Sequence, residues 1–184
     1  MIKEILFALW FFLPAGLANA APVFANKVPL LNRWNTPMDF GLSWRGKRLL
    51  GDNKTWRGLF SGIAVGSLVA ILQRYGYNHL EFVQDLTYLN YSAIHVGALG
   101  AMLGGGALIG DAVESFFKRQ LHVPDGHTWF PFDQIDYIAG GLLVSSLVIN
   151  MPHYRYWIVL LVWFVVHLLA GVVGYAFGLK KRPI

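Results

Sequence analysis

The sequence predicts an all-α, polytopic membrane protein: one bundle of about five transmembrane helices, with the N-terminus outside and the C-terminus cytoplasmic. Three observations predict it. Of 184 residues, 55% are hydrophobic and only 14% charged, a composition far from that of a soluble domain. The apolar residues gather in five runs, the longest of them near the roughly 20 residues that a helix needs to cross a bilayer. The basic residues gather between alternate runs, which is the pattern that orients membrane proteins.

Residues 5–24 form the first run. Lys3 and the segment Ala18-Asn19-Ala20 imitate a secretory signal with its cleavage site, but Glu4 and the bundle that follows favour a retained span. Residues 26–57 make a long loop carrying Lys27, Arg33, Arg45, Lys47, Arg48, Lys54 and Arg57 against Asp39 and Asp52. Its Leu30, Leu31, Trp34, Met38, Phe40, Leu42 and Trp44 are too apolar for a free linker and are expected to rest partly in the headgroup layer.

The second span, 58–73, carries Gly58, Gly62 and Gly66 at four-residue spacing, a row that favours close helix packing. The third, 91–109, has a second seam in Gly97, Gly100, Gly104, Gly105 and Gly106; seams of this kind would also allow a homodimer. The loop 110–134 precedes a fourth span, 135–149, and a turn at Asn150, Pro152 and His153 leads into the fifth, 154–177. No polar linker or internal repeat divides the chain, so residues 1–184 are read as one membrane-embedded domain.

With five spans, twelve of the fifteen Lys and Arg fall on one side: the seven of the first loop, Lys118, Arg119, Lys180, Lys181 and Arg182. Lys3, Arg74 and Arg155 fall on the other. The positive-inside rule therefore makes 26–57 and 110–134 the cytoplasmic loops of a plasma-membrane protein. The same rule accounts for the net charge of +5 without nucleic acid. The absence of cysteine excludes disulfides, thiolate-bound zinc and thiol catalysis.

Two charged regions then face the cytoplasm. If the third span continues as a helix past Gly110, Asp111, Glu114, Ser115 and Lys118 fall at i, i+3, i+4 and i+7 and share one face. Glu114 and Lys118 alone would be an ordinary i,i+4 pair. Asp133 and Asp136 lie three apart after Pro131, where the fourth helix should start, and Asp133 alone could be a helix cap. Several carboxylates at the ends of consecutive spans, with Lys118 and Arg119 among them, point further: carboxylate oxygens suit Mg²⁺, and the cations suit phosphate. Asn53, Lys54, Thr55 and Arg57 open the second span, where unpaired helix N–H groups and two cations could receive an anion. The stretch Gly46 to Thr55 has the wrong spacing for a P-loop and no preceding strand. The six histidines form no spaced metal motif; His95 and His167 read as packing residues, His122 and His127 as neighbours of the acidic stretch. The residues themselves leave open a transporter or channel for ions or organic phosphates, and a membrane assembly factor.

These motifs resemble the CDP-diacylglycerol synthase (phosphatidate cytidylyltransferase) superfamily, and in particular its short branch, the CDP-archaeol synthases. The superfamily's KTxEG element corresponds to Lys54-Thr55-Trp56-Arg57-Gly58, with Arg in the fourth position as in the archaeal-lipid branch. Its GDxxES and KR elements match Gly110, Asp111, Glu114, Ser115, Lys118 and Arg119, and its closing DRxD is Asp133-Gln134-Ile135-Asp136. The resemblance extends to Asn19 and Ala20, to Pro37-Met38-Asp39-Phe40-Gly41 and to Gly178-Leu179-Lys180-Lys181. The superfamily's KD pair becomes Pro124-Asp125, and its HGG element is reduced to His127.

The resemblance implies an Mg²⁺-dependent transfer of CMP from CTP to a lipid phosphate, ether-linked or phosphatidic-acid-like, giving a CDP-lipid and pyrophosphate. It implies Asp111, Asp133 and Asp136 as metal ligands, with Glu114 as a fourth. Asn53, Lys54, Thr55, Arg57, Lys118 and Arg119 would hold the nucleotide's phosphates, and Lys118 would act with the aspartates in catalysis.

Overall fold

The computed structural model describes residues 1–124 and 127–178. Asp125 and the C-terminal Lys180, Lys181 and Arg182 lie outside the described residues. Along the chain run α1 (Ile2–Ala25), a single-turn α2 (Pro29–Asn32), strands β1 (Ser43–Trp44) and β2 (Lys47–Arg48), then α3 (Trp56–His79), α4 (Glu81–Leu86), α5 (Val96–Gln120), α6 (Phe132–Ser145) and α7 (His153–Ala176). Four of these, α1, α3, α5 and α7, are long and apolar enough to cross a membrane.

The boundaries depart from expectation in instructive ways. The second span runs to His79 rather than 73, because Thr55 caps its start by accepting the Gly58 amide at 3.1 Å and nothing breaks the helix before Leu80. The third begins at Val96, not 91: the Asn90 side chain accepts the Ser92 amide at 3.0 Å and holds residues 90–95 in a turn. It then continues to Gln120, so the first eleven residues of the expected loop 110–134 are helix. Lys118 and Arg119 in its last turn suit the negative end of the helix dipole. The fourth helix is only 14 residues, about 21 Å at the usual rise, and falls short of the hydrocarbon thickness. The chain leaves it at Ser145 and continues through Leu147–Met151 to α7, whose Arg155 meets Glu4 of α1 at 3.2 Å, so α7 starts at the same end of the bundle as α1.

Between α2 and α3 the loop folds on itself. β1 and β2 pair antiparallel, Ser43 with Arg48 and Trp44 with Lys47. Arg45 and Gly46 both take positive φ, the requirement of a type I′ hairpin turn. The rings of Trp34, Phe60 and Trp56 stack in series, Phe40 lies tilted against Trp56, and together they fasten this loop to the first turns of α3.

The core lies around α1. Phe7, Phe11 and Phe12 are fully buried against Leu103 of α5, Ile138 of α6 and Val159 of α7. The Trp163 indole donates to the Ala8 carbonyl at 2.9 Å, satisfying its polar atom inside the bundle. Lipid is as apolar as leucine, so helices associate in it by close packing rather than by escaping water. Glycine makes that packing possible. Gly62 and Gly66 of α3 face Gly100 and Gly104 of α5, and a Cβ added at Gly66 or Gly100 would collide with the backbone of the other helix.

The two seams read from the sequence therefore meet each other within one chain. A Gly100→Leu protein should lose about 1–3 kcal/mol or more through overpacking. Gly97→Ala, whose new Cβ would stand 3.8 Å from Ile71, should be neutral or slightly stabilising. Thermal melting of the detergent-solubilised variants distinguishes the two; equal melting temperatures would contradict the close approach of α3 and α5.

Candidate functional site

A polar cavity of about 170 Å³ opens where α5 and α6 meet the loop before α3. Leu50, Gly51, Asp52, Asn53 and Lys54 supply one wall; Asp111, Glu114, Ser115, Lys118 and Arg119 of α5 a second; Asp133 and Asp136 of α6 the third. The helical spacing of Asp111, Glu114, Ser115 and Lys118 puts all four on the cavity side, and the opposite face of α5 carries Ile109, Val113 and Phe117.

Three carboxylates converge. Asp111, Glu114 and Asp136 bring oxygen atoms within 4.8 Å of one another, a spacing that suits a shared cation. Asp133 does not join them: its carboxylate accepts Lys118 Nζ at 2.6 Å and the Trp129 amide at 2.9 Å. Glu114, the fourth expected ligand, stands in its place, because one turn of α5 carries it beneath Asp111 and level with Asp136. Lys118 also reaches Glu114 at 3.0 Å, so it braces α5 against α6. Lys54 crosses from the loop to Asp111 at 2.6 Å.

Among the described residues Asp52 is exposed and answered by Arg48, which leaves Asp111, Glu114, Asp133 and Asp136 against Lys54, Lys118 and Arg119, an excess of one formal negative charge. Burying like charges together is costly unless something of opposite sign neutralises them. A cation answers that excess, and an all-oxygen donor set fits Mg²⁺ rather than a softer metal.

Other expected phosphate holders sit differently. Arg57 is buried and points away from the cavity; its guanidinium donates to the side chains of Asn35 at 2.5 Å and Asn26 at 3.0 Å. It ties the end of α1 and the segment after α2 to α3, as a buried cation must be tied. Thr55 is occupied as the cap of α3. Asn53, Lys54, Lys118 and Arg119 remain on the cavity wall. Of the histidines, His122 approaches Lys47 Nζ at 3.4 Å, and the His167 ring lies against Tyr137.

Sequence reasoning overlooked the residues that shape the loop wall. Lys47 donates to the Gln120 carbonyl at 2.8 Å and so ties the hairpin to the end of α5. Asp39 is buried and accepts Arg48 at 2.9 Å together with the amides of Gly41, Leu50 and Gly51. The available signal was its isolation: Asp39 and Asp52 are the two acids among seven bases.

An apolar groove of about 570 Å³ runs between α5 and α6, lined by Ile109, Val113, Phe117, Phe132, Ile135 and Leu143. It shares Glu114 and Asp136 with the polar cavity. Both therefore open on the same two carboxylates.

A helical membrane bundle that holds an acidic, cation-flanked cavity against an apolar groove has the framework of an intramembrane transferase. A family model described as CarS-like, CDP-archaeol synthase, matches residues 1–184. Proteins named CDP-archaeol synthase are similar over nearly the whole chain. The Pyrococcus horikoshii protein is 33% identical over 99% of this chain and 98% of its own length. The Methanocaldococcus jannaschii protein is 36% identical over 98% of each. A solved structure described as an intramembrane enzyme for archaeal membrane lipids biosynthesis superposes with a TM-score of 0.72 at 30% identity, covering 91% of this chain and 94% of that one. The chain belongs to the CDP-archaeol synthase family; it is a multi-pass membrane transferase of the CTP-dependent nucleotidyltransferase class.

One pH dependence follows from the loop wall. Burial alone would raise the Asp39 carboxyl, but Arg48 and the three amides outweigh it and hold the group well below the usual carboxylate range. A depressed folded-state value contributes stability that is present above the unfolded value of about 3.9 and is lost as pH falls toward the folded one. The melting-temperature gap between the natural protein and Asp39→Asn should stay constant from about pH 8 to about pH 5 and close only in more acid solution. A gap that closes near neutrality would contradict the ionised, paired carboxylate.

Proposed function

We propose that the protein transfers CMP from CTP to an archaeal-type ether lipid phosphate, giving a CDP-lipid and pyrophosphate, with Mg²⁺ as cofactor. The observation that carries this reading is the sharing of Glu114 and Asp136 by the polar cavity and the apolar groove. A water-soluble triphosphate and a membrane lipid phosphate have to meet, and these two residues lie where a water-facing cavity adjoins a lipid-sized groove. A transporter would place its charges near the bilayer midplane. Here they gather at one end of α5 and the start of α6.

An oxygen of the lipid phosphate attacks the α-phosphorus of CTP. The new P–O bond forms as the bond from that phosphorus to the bridging oxygen breaks, and the electron pair leaves with pyrophosphate. The nucleophile is already an anion, so no strong base is needed; alignment and charge neutralisation are. Asp111, Glu114 and Asp136 would hold Mg²⁺, which supplies charge neutralisation along the triphosphate when bound. Lys54 and Arg119 contact phosphate oxygens, with Asn53 as a neutral donor beside them. Lys118, held between Glu114 and Asp133, keeps a further N–H for a phosphate oxygen, and Asp133 serves to orient that lysine; the two ion pairs support this reading. Thr55 and Arg57 serve by fixing the start of α3.

The chain acts as one domain of the plasma membrane, N-terminus outside and C-terminus inside, with the cavity on the cytoplasmic face where CTP is found. The distribution of Lys and Arg supports that orientation. A homodimer would need a surface other than the glycine seams, which are used between helices of one chain.

Purified protein with labelled CTP, Mg²⁺ and an ether lipid phosphate should form CDP-lipid and pyrophosphate, and chelation should stop it. An ester lipid phosphate run in parallel tests the choice of lipid. No CDP-lipid from any lipid phosphate would overturn the reading. Asp136→Asn should lower turnover about a hundredfold or more while leaving the fold intact. Val113→Trp, which narrows the groove, should raise the KM for lipid phosphate and leave that for CTP unchanged. A reporter fused after Ile184 should signal from the cytoplasm; an outside signal would reverse the orientation.

A further inference from the structure

Asp39 is a buried acid that neither binds a cation site nor lines the polar cavity, yet its bonds run into the cavity wall. It is 5% exposed. Its Oδ1 accepts the Gly41 amide at 3.0 Å and Arg48 Nη2 at 2.9 Å. Its Oδ2 accepts the amides of Leu50 at 3.0 Å and Gly51 at 3.2 Å. Gly51 itself adopts φ +90, a left-handed turn that glycine accepts readily. The residues just before Asp39 hold the other end of the same wall: Met38 N donates to Lys54 O at 2.7 Å, and Trp56 N to Thr36 O at 3.1 Å. Thr36–Asp39 thus grips Leu50–Lys54 at both ends, by its backbone at one and by a carboxylate at the other. Arg48, held by Asp39, also reaches Asp52 at 2.8 Å.

We infer that Asp39 is a positioning residue for the nucleotide: it sets the Leu50–Lys54 wall so that Asn53 and Lys54 meet the triphosphate. The inference rests on the cytidylyltransferase reading for the identity of the ligand. Its direction comes from the lining residues: Leu50–Lys54 walls the polar cavity and contributes nothing to the α5–α6 groove, although Asp39 and Leu50 also line an apolar pocket against Ile109, Val113 and Phe117. Loss of Asp39 therefore weakens CTP more than the lipid phosphate. A merely structural aspartate would lower the amount of active enzyme and leave both KM values in place.

The test compares the natural protein with Asp39→Ala and Asp39→Asn in detergent. Equilibrium dialysis with labelled CTP and Mg²⁺, without lipid, is run beside steady-state kinetics. The Ala variant should raise the Kd and KM for CTP about tenfold or more. The Asn variant, which keeps an acceptor oxygen, should show a smaller rise. The KM for lipid phosphate should stay within about twofold in both. If Asp39→Ala does not fold, Arg48→Met removes the guanidinium while leaving the amide acceptors, and should raise the CTP values about threefold. Unchanged CTP values in the folded variants, or an equal rise for both substrates, would overturn the assignment. If the natural protein binds CTP but forms no CDP-lipid, the cytidylyltransferase reading fails and the Kd comparison still judges Asp39. If it does not bind CTP, both fail.

Discussion

The contact between α5 and α6 is the constraint on which the site depends. Gly106 and Gly110 of α5 lie against Gly140 and the Asp136 carbonyl of α6 so closely that a Cβ on any of the three glycines would strike the facing backbone. That approach brings Asp136 level with Asp111 and Glu114. Separate the helices by the width of one methyl group and the carboxylates no longer share a cation, while Lys118 cannot span from Glu114 to Asp133. In a bilayer such contact has to be made largely by packing, so the glycines that look like a membrane-packing seam also define the spacing of the carboxylates. The α3–α5 seam does the same for Lys54, because the start of α3 fixes the loop from which that lysine reaches Asp111.

Electrostatics then decides what the site will accept. Lys54 and Lys118 each answer a carboxylate in the free protein, which keeps a crowded acidic cavity from repelling itself apart. The excess negative charge still favours a cation, and a cation held there would add to Lys54, Lys118 and Arg119 in attracting a polyphosphate. The pairing is also exchangeable. A lysine held by a carboxylate can turn to a phosphate when the carboxylate turns to a metal, so on the proposed reading binding would rearrange partners rather than expose a buried charge.

Much of this was legible in the sequence, for identifiable reasons. Five apolar runs and their order followed from length and hydropathy, and the shared face of Asp111, Glu114, Ser115 and Lys118 from the helical period. The ends of the runs were harder, because a side-chain turn such as that at Asn90 competes with helix in ways hydropathy does not register. The short fourth helix was hidden for the same reason: Leu147, Val148 and Ile149 are as apolar as the helix they follow. Partnerships were least legible. Nothing in the spacing of Lys54 and Arg57 says that one faces Asp111, 57 residues away, while the other is enclosed by asparagines. Nor does a lone aspartate in a basic loop announce that three amides will fold onto it.

The two compartments of the site follow from the same helix. α5 is polar on one face and apolar on the other through its last three turns, so it can wall a water-facing cavity and a lipid-facing groove at once. A soluble enzyme could not keep Ile109, Val113 and Phe117 about half exposed without inviting association; in a membrane those side chains cost nothing. The bilayer is therefore part of the site's construction. It supplies the solvent that lets one helix be amphipathic in this sense.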